Sequence, residues 1–154
     1  PLTMNAGAQP GQEGPVNTLW VKQGEVRGAN TDSPALQSLA EEFSAHKKIW
    51  LWGAGAMSTV VTGVFPTTKV ISARTGLEQS PDAPEMLIWA TGRSREFKWP
   101  PNLPGLKLVL DLNYSDDSPG LELAATRNFP YQSGLRMFKL QAELQRQIWR
   151  EHLS

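Results

Sequence analysis

Apolar residues fall along this chain in short, unbroken runs separated by glycine- and proline-rich punctuation. Residues 48–52 (KIWLW), 69–72 (KVIS), 86–90 (MLIWA) and 106–112 (LKLVLDL) have the length and β-branched or aromatic character of strands, with little polar alternation. Strands of that kind are buried on both faces, as in a parallel sheet covered on either side. Helical spacing runs through Leu36, Leu39, Ala40 and Phe43 after Asp32-Ser33, through residues 56–65 up to Pro66, and through 119–127. A longer closing helix over 137–152 has apolar positions at Met137, Leu140, Leu144, Ile148 and Trp149. Residues 16–22 (VNTLWVK), a turn at Gln23-Gly24 and Glu25-Val26-Arg27 predict a hairpin. Residues 1–15 lack periodicity and read as a flexible lead-in, and residues 76–85 predict a loop where doubly wound folds place a helix.

Composition narrows the class. The 154 residues are 40% hydrophobic and 19% charged, as expected of a folded chain of one ordinary domain or slightly more. Fifteen basic and fifteen acidic residues cancel, which argues against nucleic acid or an acidic membrane surface as partner. The absence of cysteine excludes disulfides, thiolate metal sites and cysteine nucleophiles. No apolar stretch approaches the roughly 20 residues of a membrane span, and no secretory signal is visible at the start, so a cytoplasmic location is the expectation. His46 and His152 sit in polar helix-end contexts and are expected at the surface. Asp116-Asp117 lie in SDDSP, a loop and helix-cap composition, so no metal site is expected there.

The chemistry concentrates in KIWLWGAGAMS, a strand followed by Gly53-x-Gly55 and a helix start. Gly53 permits the tight turn, Gly55 lets a pyrophosphate approach the backbone, and the helix N-terminus offers free N–H groups to that anion. Ser58 holds the third, small position of the pattern. The expected architecture is therefore α/β, a doubly wound, mostly parallel, Rossmann-like sheet over residues 46–154, preceded by a hairpin and linker helix over 16–45. After the second strand, Ser72-Ala73-Arg74-Thr75 supplies a guanidinium and no carboxylate. A guanidinium forks onto the oxygens of a 2′-phosphate, which favours NADP over NAD.

Four further segments, VNTL at 16–19, GANTD at 28–32, DLNY at 111–114 and SGLRMFKLQ at 133–141, join SART at 72–75 in one order. Together they resemble the A-V-N-T-L, G-x-N-T-D, N-R-T, D-x-x-Y and D-G-L-G-M-L-x-x-Q motifs of the shikimate dehydrogenases. That resemblance implies an oxidoreductase of aromatic amino acid biosynthesis, reducing 3-dehydroshikimate to shikimate with NADPH. It implies a C-terminal NADP-binding domain here, with the hairpin as a remnant of the substrate domain. By motif position, Asn17, Asp32, Tyr114 and Gln141 would contact substrate, and Asp32 would form the catalytic acid/base couple with a lysine. Gly53, Ala54, Gly55, Ala56, Met57 and Ser58 would wrap the pyrophosphate, and Arg74 and Thr75 would meet the 2′-phosphate. Thr91, Leu112, Gly134 and Met137 would line the nicotinamide end.

The chain departs from that pattern in several places. The family's lysine lies N-terminal to V-N-T-L, and this sequence begins at Pro1 without that segment. An acid–base group contributes about 10²–10⁴ in rate, so the expectation is cofactor binding without turnover by this chain alone. A small-molecule substrate would then bind only with the missing N-terminal domain. Ala73 replaces the Asn of N-R-T, and Glu78 stands where a second base is usual, which would weaken selectivity for NADP. Ser133 and Arg136 replace the Asp and second Gly of D-G-L-G-M; Arg136 is expected to crowd the nicotinamide side or to pair with a phosphate. The tryptophans at 20, 50, 52, 89, 99 and 149 are expected to cover a sheet face left thin by the loop at 76–85. The flank of residues 16–31 and the closing helix is expected to expose apolar surface and drive self-association. Alternatives are a non-catalytic NADP-binding or assembly module, or a fragment of an enzyme acting on quinate.

Overall fold

The computed structural model describes residues 7–8, 15–77, 82–93 and 95–152. The chain runs β1 (Gly7–Ala8), β2 (Thr18–Lys22), β3 (Glu25–Ala29), α1 (Asp32–Leu39) and a 3₁₀ turn (Ala40–Phe43). It continues through β4 (Ile49–Trp52), α2 (Met57–Val64), β5 (Lys69–Ile71), β6 (Met86–Trp89) and β7 (Leu108–Asp111), then α3 (Pro119–Arg127), β8 (Tyr131–Ser133) and α4 (Leu135–His152).

Strands β4 to β8 form one sheet in the order β5-β4-β6-β7-β8, with every neighbouring pair parallel. The chain leaves β4 toward β5 on one side and returns to β6 on the other. The carboxyl ends of β4 and β6 therefore flank the topological switch point, where open α/β sheets have their binding crevice.

All residues of β4 and β6 are buried, and they divide by alternation between two cores. Ile49, Leu51, Met86 and Ile88 pack with Leu36, Leu39, Val61 and Met137 from α1, α2 and α4 and with Phe65 at the end of α2. Trp50, Trp52, Leu87 and Trp89 face the opposite way, against Leu103, Leu106, Leu123 and Ala124. Among the described residues, α3 alone is helical on that second face. Among the described residues neither the β5–β6 nor the β6–β7 connection contains a helix.

Aromatic side chains fill the space instead. Phe97 and Trp99 pack edge-on and tilted against Trp89 at ring distances of 5.6 and 5.9 Å. Two of the buried indoles on this face satisfy their N–H groups: Trp52 Nε1 donates to Lys98 O at 2.9 Å and Trp89 Nε1 to Thr91 O at 2.6 Å. Arg127 pins the proline-rich segment to α3 by donating to the carbonyls of Pro100 and Pro101 at 2.9 and 2.6 Å.

The hairpin pairs β2 with β3 antiparallel, and Gln23 and Gly24 both take positive φ (53° and 81°), the tight-turn geometry that matches strand twist. Within the stretch read as lead-in, Gly7 and Ala8 pair parallel to Arg27 and Gly28; residues 1–6 and 9–14 lie outside the described residues. Helix α4 packs on α1 and β2, and Trp149 Nε1 donates to Leu19 O at 3.1 Å. His152, expected at the surface, instead stacks on Trp20 at 5.0 Å. The strand β8 is absent from the sequence expectation, because YQS offers no apolar run. Among the described residues no helix is long and apolar enough to cross a membrane.

Candidate functional site

At the switch point, Gly53 has φ +132° and a Cβ there would stand 2.9 Å from Thr91 Oγ1 and 3.0 Å from Ala90 O. Glycine is the residue that this close approach admits. Gly53 N–H donates to Ile71 O at 2.9 Å, which ties the turn to the end of β5. Gly55 differs: a Cβ there would meet nothing within 4 Å. The residues 54–56 are exposed, and their backbone N–H groups have no protein acceptor among the described residues. Ala56, the N-cap of helix α2, offers no side-chain hydrogen bond, so the helix's partly positive end also faces outward. An open, uncapped, donor-rich turn of this kind fits a pyrophosphate. Ser58 closes the turn, its Oγ donating to Gly55 O at 2.7 Å.

Beyond β5, Gly76 N–H donates to Ser72 O at 2.8 Å and closes a turn that leaves Arg74 and Thr75 exposed. Ala73 is buried in the tryptophan-rich core, which explains a small apolar residue at this position. Glu78 lies outside the described residues.

The loops after β6, β7 and β8 are joined through Asp111, which has no exposed surface. Its Oδ1 accepts from the backbone and side-chain N–H groups of Asn113, both at 2.9 Å, and its Oδ2 accepts from Tyr131 OH at 3.2 Å. Burial beside that carboxylate pushes the Tyr131 hydroxyl well above its ordinary range. Asn113 Nδ2 reaches on to Thr91 O at 3.2 Å. Gly134 is buried where a Cβ would meet Asp111 O and Leu112 at 2.8 Å, so backbone packing alone requires glycine there. Leu112 and Met137 belong to the helical-side core next to these loops. Arg136 pairs with Glu42 at 2.5 Å.

The two Asn-Thr pairs of the hairpin meet each other. Asn17 Oδ1 accepts from Thr31 N–H at 2.9 Å and from Thr18 Oγ1 at 3.0 Å, which occupies both lone pairs. The Thr31 hydroxyl lies 3.1 Å from both Asn17 Oδ1 and Gln141 Oε1 and so links the two amides. Burial pushes the Asp32 carboxyl above its ordinary range, and the Asn17 side chain opposes this less strongly. Asn17, Asp32 and Gln141 are thus brought together. Tyr114, exposed after β7, joins them through Phe138, on which it stacks at 4.3 Å one helical turn from Gln141. Sequence reasoning missed Thr31, Asp111 and Phe138 as organising residues; only the doubled Asn-Thr pattern hinted at the first. Among the described residues no group of carboxylates and histidines has metal-binding geometry.

No protein-family model matches the chain, and no curated protein matches it. Solved structures do. Shikimate dehydrogenase 1 from Peptoclostridium difficile superposes with a TM-score of 0.69 at 18% identity, covering 88% of this chain and 60% of that one. A chorismate mutase/shikimate 5-dehydrogenase fusion protein from Clostridium acetobutylicum gives 0.64 at 22% identity, covering 88% and 60%. Shikimate 5-dehydrogenase from Thermus thermophilus, in complex with NADP(H) and shikimate, gives 0.61 at 19% identity, covering 87% and 61%. This chain therefore spans about 60% of the length of these proteins and has the fold of the C-terminal portion of the shikimate dehydrogenases.

Proposed function

We propose that these residues form the NADP(H)-binding portion of a shikimate dehydrogenase-like oxidoreductase that reduces 3-dehydroshikimate to shikimate. The observation that carries this reading is the Gly53–Gly55 turn, uncapped and open, at the switch point of a sheet shared with enzymes solved with NADP(H) and shikimate. In this reading residues 53–58 hold the pyrophosphate, Arg74 and Thr75 the 2′-phosphate, and Thr91, Leu112, Gly134 and Met137 the nicotinamide end. When bound, NADPH supplies the hydride.

The chain's own residues bind and orient the ring. The Asn17 carbonyl oxygen is occupied by Thr18 and Thr31, which turns its NH₂ group toward Asp32, and Gln141, its carbonyl oxygen against the Thr31 hydroxyl, offers its NH₂ group to substrate oxygens. Asp32, whose carboxyl holds a proton more readily than a solvated one, accepts from or donates to a ring hydroxyl. Among the described residues no lysine or arginine is ion-paired with Asp32. That supports cofactor binding without turnover by these 154 residues, and it equally favours a second reading, a non-catalytic NADP-binding module.

Calorimetric titration with NADP⁺, NADPH and NAD⁺, paired with an assay of NADPH oxidation by 3-dehydroshikimate, tests both parts. Saturable NADP⁺ binding with no turnover is expected. Failure to bind any of the three nucleotides overturns the cofactor reading. Turnover on the order of 1–10³ s⁻¹ overturns the claim that these residues bind without catalysing.

A further inference from the structure

We propose that Lys98 is a second cation of the cofactor site, acting with Arg74 to receive the 2′-phosphate of NADP(H); this rests on reading the Gly53–Gly55 turn as a dinucleotide cradle. Lys98 comes from the proline-rich segment that stands where a crossover helix is usual, far in sequence from SART. Its backbone is held at both ends. Lys98 N–H donates to Ala73 O at 2.7 Å, and Lys98 O accepts from the indole of Trp52 at 2.9 Å. Trp52 is fully buried at the end of β4, and Ala73 is buried and adjoins Arg74. Lys98 is therefore fixed against the turn of residues 72–76 by the core itself.

Its stem lies over Gly76. A Cβ on Gly76 would come 3.1 Å from Lys98 Cβ and 3.3 Å from its Cδ, so the missing side chain makes the room that the stem occupies. Gly76 also has φ +66°, a conformation that favours glycine on its own account. Arg74 and Lys98 are both exposed, and neither takes part in an ion pair among the described residues. Sheet topology puts the turn after β5 at the adenosine ribose. A phosphate monoester there carries about −1.5 to −2 charges, so two cations balance it, whereas the 2′-hydroxyl of NAD needs neither.

The test is calorimetric titration of the full chain, and of its Lys98→Ala, Lys98→Arg and Arg74→Ala variants, with NADP⁺ and NAD⁺. Lys98→Ala is expected to raise the Kd for NADP⁺ roughly tenfold, to leave that for NAD⁺ unchanged, and to be rescued by Lys98→Arg. Unchanged NADP⁺ affinity in Lys98→Ala, with weakening in Arg74→Ala, overturns the role of Lys98 and leaves the cofactor site standing. Equal weakening for both nucleotides overturns it as well, since Lys98 would then shape the turn rather than meet the phosphate. If the unmodified chain binds neither nucleotide, the cradle reading falls and this proposal falls with it.

Discussion

Two glycines two positions apart in one turn answer to different constraints. A Cβ at Gly53 would collide with Thr91 and the Ala90 carbonyl, at a φ that side chains avoid; a Cβ at Gly55 would enter open space. Gly53→Ala is therefore expected to cost about 1–3 kcal/mol of stability, read as a lowered thermal midpoint. Gly55→Ala is expected to keep the midpoint and to weaken NADP⁺ binding by roughly tenfold or more, read by calorimetry. Equal melting of the two variants would show that the turn is shaped only by packing. The pair was legible in the sequence because both constraints act within one local pattern. Thr31 was not legible, because its partner Gln141 is 110 positions away and becomes a neighbour only once α4 lies on α1. The same holds for Lys98 beside Ala73. Asp111 could be quoted as part of a motif, yet its role follows from Asn113 and Tyr131 converging on a carboxylate that no local pattern marks as buried.

Among the elements, the four apolar strands were read within a few residues of where they stand, since burial on both faces writes itself as an unbroken apolar run. Strand β8 escaped because it is half-buried at an edge and carries Tyr-Gln-Ser. Helix α3 was legible through its ends: Ser118 caps Gly120 N–H, Pro119 starts the first turn, and Asn128 closes it at φ 55°. What joins the central strands at their amino ends was not legible. Glu85 accepts from Lys47 N–H at 2.7 Å and from Lys107 Nζ at 2.6 Å, and its own carbonyl accepts from Lys107 N–H at 2.8 Å. It thereby bridges the approaches to β4, β6 and β7. The Lys107 ammonium first, and the Lys47 N–H second, hold the Glu85 carboxyl down to about 2, below an unfolded value of 4.5. A depressed carboxylate stabilises the fold above 4.5, and that contribution disappears as pH falls toward 2. Glu85→Gln is expected to lower the thermal midpoint at neutral pH and to shrink its fall across that acid window. Parallel pH–midpoint curves for the two proteins would remove Glu85 from this role.

At the scale of the whole molecule, the hairpin presents one apolar face to solvent. Val21 stands opposite Val26, and with Val16 and Leu19 these side chains are 40–57% exposed, while Trp20 on the other face is buried against α4. We expect concentration-dependent self-association through this face, seen by sedimentation velocity and reduced by Val21→Lys; a monomer at every concentration would refute it. The second face of the sheet has a different consequence. Trp52 and Trp89 end β4 and β6, one residue from Gly53 and two from Thr91, so buried indoles sit beside the crevice assigned to the nicotinamide. Reduced nicotinamide absorbs where tryptophan emits. Occupancy by NADPH should therefore quench the indole emission and excite the dinucleotide in its place, giving an optical signal of binding that needs no substrate, no turnover and no attached dye.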